Sequence, residues 1–337
     1  MKRVTAAFDQ ITTFHNLMEA ARLTLRGNRH KPAAARFWFD LEPEVLQLQD
    51  ELIRGVWTPR PYRIFTIYES KPRQICASDI RDRVVHHAIC RVLDPIFERR
   101  LIYDTYACRR GKGSHAAVRR AQLFMRGSGY YLQCDVSKYF ASIDHGAMKT
   151  LYRKMIRDRR LLRLLDQIVD HAVPGYDSGR GMPIGNLTSQ YFANLYLGEL
   201  DHFIKERLRV RRYVRYMDDW LLFSDDKGQL HKFLSEIRNF LGDQLRLKLK
   251  EKAVRIAPVG EGATFLGFQV YRGILRLGRG KLARVRRTIR HSEKMFQAGV
   301  IDEEALSRSV SSMLGHWTQA NTLAARRRLT DGSMIKG

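Results

Sequence analysis

The stretch that most restricts what this chain can become is Tyr216-Met217-Asp218-Asp219, set between Tyr213-Val214-Arg215 and Trp220-Leu221-Leu222-Phe223. Two apolar half-strands around a short polar tip predict a β-hairpin. The tip then carries two adjacent carboxylates, which repel one another. Such a pair is tolerated in water, where Asp-Asp is an ordinary turn dipeptide, or on a hard cation such as Mg²⁺, which prefers carboxylate oxygen. The tip alone fits either a solvated turn or a metal site, so the deciding information lies elsewhere in the chain.

A second acid lies in Tyr130-Tyr131-Leu132-Gln133-Cys134-Asp135-Val136-Ser137-Lys138-Tyr139-Phe140. Here an apolar strand runs into Asp135, and burying a carboxylate at a strand end costs several kcal/mol unless it is paired or bound to a cation. Asp135 could instead cap a helix, with Ser137 or Asp144 capping nearby. Helices and a glycine-containing loop separate Asp135 from the hairpin. That order fits a β-α-β-β palm in which a central strand and a hairpin lie side by side in an antiparallel sheet and their carboxylates converge. Three carboxylates can hold two Mg²⁺ ions about 3.5 to 4 Å apart, the spacing of in-line displacement at phosphorus.

Charge narrows the partner. Sixty Lys and Arg against 35 Asp and Glu give a formal charge of +25 and a pI near 10.3, an imbalance that points to a polyanion, with nucleic acid the default. A membrane surface is the competing polyanion. No apolar run long enough to span a bilayer and no signal-peptide pattern after Met1-Lys2-Arg3 is present, so the expectation is a cytoplasmic protein with no membrane partner. Cys76, Cys90, Cys108 and Cys134 contain no C-x-x-C pair and are expected to be small buried apolar residues.

Taken in order, apolar spacing predicts helices over residues 8–26 and 41–53, joined by a basic connection, Arg26-Gly27-Asn28-Arg29-His30-Lys31, that reads as a solvated loop or a phosphate contact. A proline-punctuated edge strand over 57–68 and a second strand over 71–76 follow, with Lys71 and Arg73 on one face of the extended chain. Two cations there suit a triphosphate, Lys as a point charge and Arg as a fork, although a generic basic strand has the same pattern. A helix from Asp79 should end before Pro95, and its His86 and His87, lacking i, i+4 spacing, read as structural.

The basic loop Tyr106-Ala107-Cys108-Arg109-Arg110-Gly111-Lys112-Gly113 leads into a helix over 116–125 and suits a phosphate, although it lacks P-loop spacing. A leucine-rich helix pair over 152–171 precedes a loop with Gly175, Gly179, Gly181 and Gly185, then Pro183-Ile184-Gly185-Asn186-Leu187-Thr188-Ser189-Gln190. The helix behind it should bury Phe192, Leu195, Tyr196, Leu200, Phe203 and Ile204 on one side. After the hairpin come an amphipathic helix over 230–240, a basic strand over 245–250 and a strand over 264–270. Arg284, Arg286, Arg287 and Arg290 then recur along a cationic helix. That helix is either a solvated face or a contact for duplex backbone, the charge excess favouring the latter.

Read together, Lys-Pro-Arg, Asp-Val-Ser-Lys-Tyr-Phe, Ile-Gly-Asn-Leu-Thr-Ser-Gln, Tyr-Met-Asp-Asp and Phe-Leu-Gly-Phe resemble the ordered motifs of reverse transcriptases. The resemblance implies an α+β right-hand polymerase with fingers, an antiparallel-sheet palm and a helical thumb. It divides the chain into an N-terminal helical extension (1–56), the first part of the fingers (57–130), a palm (131–270) with inserted fingers helices at about 150–182, and a basic helical thumb (271–337). It implies that Asp135, Asp218 and Asp219, assisted by the Val136 carbonyl, hold two Mg²⁺ ions, for which Mn²⁺ can substitute. In the same comparison Lys71 and Arg73 face the dNTP triphosphate, Phe140 lies under the sugar, and Gln190 lines the nascent pair. Lys252 is a candidate general acid toward pyrophosphate.

The partners implied are template RNA, an RNA-DNA hybrid and dNTPs. Retroviral and group II intron enzymes usually carry Gln-Gly at the start of the loop motif and Ser-Pro at its end, where this chain has Ile184-Gly185 and Ser189-Gln190. Together with the Tyr106–Gly113 loop and Gly315-His316-Trp317, this is similar to diversity-generating retroelement enzymes. Those copy a template-repeat RNA with errors opposite adenine and work with a small basic accessory protein. Compact antiviral defence-associated reverse transcriptases are the alternative, and a structured non-coding RNA is the alternative partner. A catalytically silent nucleic-acid-binding protein on a polymerase fold is a third reading, against which stands the presence of all three carboxylates.

Overall fold

The computed structural model describes residues 4–68, 72–317 and 321. The elements run α1 (Ala7–Ile11), α2 (Phe14–Leu25), α3 (Pro32–Phe39), α4 (Leu41–Arg54), β1 (Arg63–Tyr68), β2 (Pro72–Ala77), α5 (Ile80–Glu98), α6 (Ser114–Arg126), β3 (Tyr130–Asp135), α7 (Tyr139–Ser142), α8 (His145–Met155), α9 (Arg159–Asp170) and α10 (Leu187–His202). They continue with β4 (Tyr213–Tyr216), β5 (Asp219–Ser224), α11 (Lys227–Leu245), β6 (Arg255–Pro258), β7 (Ala263–Phe265), β8 (Phe268–Val270), β9 (Leu275–Leu277), α12 (Arg279–Gln297) and α13 (Glu303–Trp317). The mixture of helices with antiparallel sheets is the expected α+β class. Among the described residues no helix is long and apolar enough to cross a membrane.

The chain divides into two compact units. One comprises Met1–Arg109, Val136–Arg209 and Ser235–Lys250; the other comprises Arg110–Asp135, Val210–Leu234 and Glu251–Gly337.

In the first unit α5 is the central post, its Val84, Val85, Ala88 and Ile89 at most 1% exposed and packed against α2 and α10. Thr13 interrupts the predicted 8–26 helix because its side chain caps α2 by accepting from the Asn16 amide. The helix predicted to stop before Pro95 instead runs through it to Glu98. Proline costs one helical hydrogen bond there, but Leu93 and Phe97 on either side are buried, and their packing carries the helix onward. His86 is structural as expected: it is buried, with Nδ1 at 2.9 Å from the Thr188 hydroxyl.

The α10 helix departs from the one-sided pattern. Ala193, Asn194, Leu197, Gly198 and Asp201 are buried along with the expected residues, so it is enclosed all round. Two of its buried polar residues find partners: Asn194 Nδ2 donates to Ala107 O at 2.8 Å and Asp201 accepts from the Thr105 hydroxyl at 2.7 Å. Phe203 and Ile204 fall in a π turn, Phe203–Arg207, beyond the α-helix. The β1–β2 ladder is antiparallel from Arg63↔Ala77 to Tyr68↔Pro72, so only the second half of the predicted 57–68 strand pairs.

The predicted 245–250 strand is not one. Leu247 and Leu249 alternate with exposed neighbours as a strand would, but among the described residues the segment makes one isolated bridge, Val136↔Leu249. In the second unit a four-stranded sheet has the order β4-β5-β3-β6, all pairs antiparallel. Helix α6 packs on it, with Phe124 and Phe223 ring centroids 5.9 Å apart. The predicted 264–270 strand is a hairpin instead, β7 and β8 meeting at Phe265↔Phe268 around Leu266 and Gly267, with φ of 52° and 82°. Positive φ at both positions is the pattern of a type I′ turn, which matches the twist of the strands it joins. Downstream, Val285, Ile289, Ile301, Leu306 and Val310 form a small core between α12 and α13.

Candidate active site

The carboxylates are placed by strand register. In the β3–β5 ladder Asp135 is the partner of Asp219, and in the β4–β5 ladder Tyr216 is the partner of Asp219. Directly opposed residues of an antiparallel pair have Cα atoms about 4.5–5.5 Å apart and point to the same face. Met217 and Asp218 are therefore the two loop residues of the hairpin. Met217 adopts φ 55°, the left-handed conformation that a two-residue hairpin turn demands at its first central position.

Two neighbours that the sequence did not single out hold this tip. Gln133 Nε2 donates to Asp219 Oδ1 at 3.3 Å and to Thr264 O at 2.8 Å, tying the carboxylate to the β7 strand. Arg215 is fully buried and its Nη1 donates to Met217 O at 2.9 Å. Strand alternation could have flagged Gln133, a polar residue inside an apolar run.

The donor set is chemically suited to a hard divalent cation: three carboxylates, with the Val136 carbonyl following Asp135 in the chain. Among the described residues no three His, Cys, Asp or Glu side chains are already grouped so that they could hold a metal ion. The backbone condition is met, because register puts Asp135 and Asp219 side by side on one face and Asp218 next to Asp219. Lys252 is exposed in a short 3₁₀ turn, Glu251–Ala253, just before β6. The β3–β6 register, Gln133↔Arg255, runs toward that turn at the Asp135 end of β3, so Lys252 belongs to the same end of the sheet as the carboxylates.

Val136, Phe140, Gln190 and Arg73 belong to the first unit. Val136 is buried and bridged to Leu249. Phe140 is half-buried in α7, its ring edge-on to Tyr139 with centroids 5.6 Å apart, and its carbonyl accepts from Met182 N at 2.8 Å. Tyr139 is itself fixed by donating to Ala193 O on α10.

Gln190 sits in the first turn of α10, where its Oε1 accepts from the Cys108 thiol at 3.3 Å. Cys108 is exposed with φ 54°, a correction to the expectation that all four cysteines are buried. Its loop is bound to the helices on either side of it: Asn194 holds Ala107, while Arg109 grips Glu98 and donates to Ile102 O at 2.6 Å and Thr105 O at 2.7 Å.

At the glycine-rich loop, Cys76 N donates to Ile184 O at 3.0 Å. Gly185 has φ 125°, a conformation that side chains with a Cβ rarely adopt, and a Cβ there would stand a tight 3.3 Å from Cys76 O.

Arg73 lies exposed on β2 opposite Ile67. Lys71 is outside the described residues, and so are the side chains of Arg284 and Arg286. Arg287 and Arg290 are exposed on α12.

A central strand ending in one acid, paired to a hairpin that presents two more, defines the palm of a nucleotidyl-transferring polymerase. The model of the family described as reverse transcriptase (RNA-dependent DNA polymerase) matches residues 66–270. The chain belongs to that family and is an RNA-directed DNA polymerase, of a class that uses divalent metal ions.

Among relatives, the chain is 27% identical over 325 residues to protein YkfC of Escherichia coli K12, covering 82% of this chain and 85% of that one. It is 21% identical over 301 residues to the group II intron-encoded protein LtrA of Lactococcus lactis subsp. cremoris, covering 68% of this chain and 50% of LtrA. An apo telomerase from Candida tropicalis superposes with a TM-score of 0.50 at 11% identity over 68% of this chain and 58% of its own, a likeness of fold. The chain thus spans most of YkfC but only about half the length of the other two proteins.

Proposed function

We propose that this polymerase copies RNA into DNA with two Mg²⁺ ions held by Asp135, Asp218, Asp219 and the Val136 carbonyl, Mn²⁺ being able to substitute. The Asp135↔Asp219 pairing carries the reading, because it sets two carboxylates from distant parts of the chain on one face with the third beside them. When bound, the ions activate a primer 3′-hydroxyl and stabilise the charge of the departing pyrophosphate. The chain's own residues orient the reactants. Lys71 and Arg73 meet the triphosphate, Phe140 lies under the sugar, Gln190 lines the nascent pair, and Lys252 is the proton donor to pyrophosphate. The excess of cations, +25 overall, suits template RNA and the RNA-DNA hybrid, with the face of Arg284, Arg286, Arg287 and Arg290 against backbone phosphate.

The finer assignment is to error-prone copying of a template-repeat RNA in a diversity-generating retroelement, with a small basic accessory protein or structured RNA as partner. It is supported by Ile184-Gly185 and Ser189-Gln190 together with the Tyr106–Gly113 loop and Gly315-His316-Trp317.

The test is primer extension on an RNA template with Mg²⁺ and dNTPs. Asp218→Asn with Asp219→Asn should lower the rate by about 10³-fold or more while leaving the protein folded. Undiminished synthesis by that variant would remove the assignment. Sequencing the product decides the finer reading: substitutions concentrated opposite adenine support diversification, and an even, low error rate turns the choice toward the antiviral alternative.

A further inference from the structure

Arg215 is the charged residue at the active-site tip that the chemistry above does not use. Its side chain is fully buried, and the neighbouring Tyr213, Val214, Trp220, Leu221 and Leu222 are fully buried apolar residues. Withdrawing a guanidinium from water costs several kcal/mol, and an apolar side chain of the same volume would fill such a site without that cost. Its retention in this setting calls for a hydrogen-bonding task.

One bond of that task is visible. Arg215 Nη1 reaches forward over the turn to Met217 O, 2.9 Å away. Met217 is in the left-handed region with φ 55°, a conformation unfavourable for a residue with a Cβ that persists only where the surroundings enforce it. The carbonyl held by Arg215 belongs to the peptide joining Met217 to Asp218, so fixing it fixes the direction in which the next two residues leave the turn. A planar fork suits this better than an ammonium, because several fixed donors restrain orientation as well as distance.

We propose that Arg215 is a positioning residue: by clamping the Met217 carbonyl it holds the strained hairpin tip in the one arrangement that presents Asp218 and Asp219 together. The consequence for metal binding rests on the reading that these carboxylates hold the divalent ions. The consequence for turn rigidity does not.

The experiment uses the full chain with Arg215→Met and Arg215→Lys, and reads three quantities: amide hydrogen exchange of the Met217–Asp219 turn, Mn²⁺ affinity by electron paramagnetic resonance, and cooperative thermal unfolding. Arg215→Met should keep a cooperative transition, exchange the turn amides about tenfold faster or more, and bind Mn²⁺ about tenfold more weakly. Arg215→Lys should fall between it and the wild type. Adding Met217→Gly to Arg215→Met, which relieves the left-handed strain, should recover part of the protection.

Unchanged exchange in a folded Arg215→Met protein would overturn the proposal. If that variant does not fold, unchanged exchange in Arg215→Lys overturns it equally. If Asp218→Asn with Asp219→Asn leaves Mn²⁺ binding as it was, the metal reading fails alone, and the exchange data still decide the role of Arg215.

Discussion

The thiol of Cys108 donates a 3.3 Å hydrogen bond to Oε1 of Gln190, and one helical turn further on Asn194 holds the carbonyl of Ala107. Two side chains of α10 thereby grip consecutive residues of one loop. With its oxygen engaged, the Gln190 amide has its two N–H donors left to present elsewhere.

That arrangement makes the thiol testable. Cys108→Ala frees the amide to rotate, and should raise the KM for dNTPs about two- to fivefold and alter the misinsertion pattern, with kcat less affected; a thiol donor is weak, so the effect is modest. Cys108→Ser, which keeps a donor, should restore both. Single-nucleotide incorporation kinetics check this. A change with Gln190→Ala but none with Cys108→Ala would limit the role to Gln190.

Phe140 is fixed from two sides, by the edge contact with Tyr139 and by the bond from Met182 N to its carbonyl. Replacing the ring with a methyl group therefore opens space without moving the backbone. Phe140→Ala should increase ribonucleotide incorporation relative to deoxyribonucleotide by about 10-fold or more, read as the ratio of kcat/KM values. An unchanged ratio would remove Phe140 as the sugar gate.

His86 predicts an acid sensitivity of the α5 core. Burial, with the nearby His87, His171 and Arg83 charges adding to it, pushes its pKa down to about 3. The folded chain leaves His86 neutral where the unfolded chain protonates it, so stability is lost as pH falls from about 6.5 toward about 3. The slope is up to about 1.4 kcal/mol per pH unit. Asp82 runs the other way, since burial raises its pKa to about 6 and its ionisation cost disappears on acidification. Urea unfolding of the wild type and His86→Gln at pH 7.5 and pH 5 separates the two: the variant should lose less stability on acidification. Equal losses would show that His86 protonates freely in the folded state.

On α12, Arg287 and Arg290 are both exposed. Arg287→Gln with Arg290→Gln should flatten the logarithmic salt dependence of RNA-DNA hybrid binding by up to about two units of slope, roughly one for each phosphate no longer neutralised. An unaltered slope, measured by fluorescence anisotropy, would make this a solvated face.

The parts of the molecule that rest on local pattern were legible in the sequence. The Tyr213–Phe223 hairpin declared itself through apolar half-strands around Asp218 and Asp219, and the strand into Asp135 through its alternation, so the partnering of the two acids followed from topology. What the sequence concealed depends on distant neighbours. Leu247 and Leu249 alternate like a strand, but whether an edge lies opposite them is decided by other segments. Pro95 is a local stop signal overridden by the burial of Leu93 and Phe97. Arg215 lay hidden in plain view, because a lone charge in an apolar half-strand is ordinary until its complete burial is known. Cys108 resembled the other cysteines, and only the positive φ of its loop turns it outward toward Gln190.

The pairing of β3 with strands that come much later in the chain also has a consequence in time. Asp135 leaves the ribosome well before Asp219, and β6, which covers the other edge of β3, later still. At translation rates of about 5–20 residues per second, on the order of ten seconds pass in which β3 has neither neighbour. During that interval both of its edges are open, and the nascent chain must be shielded, or must wait, before it can become an enzyme.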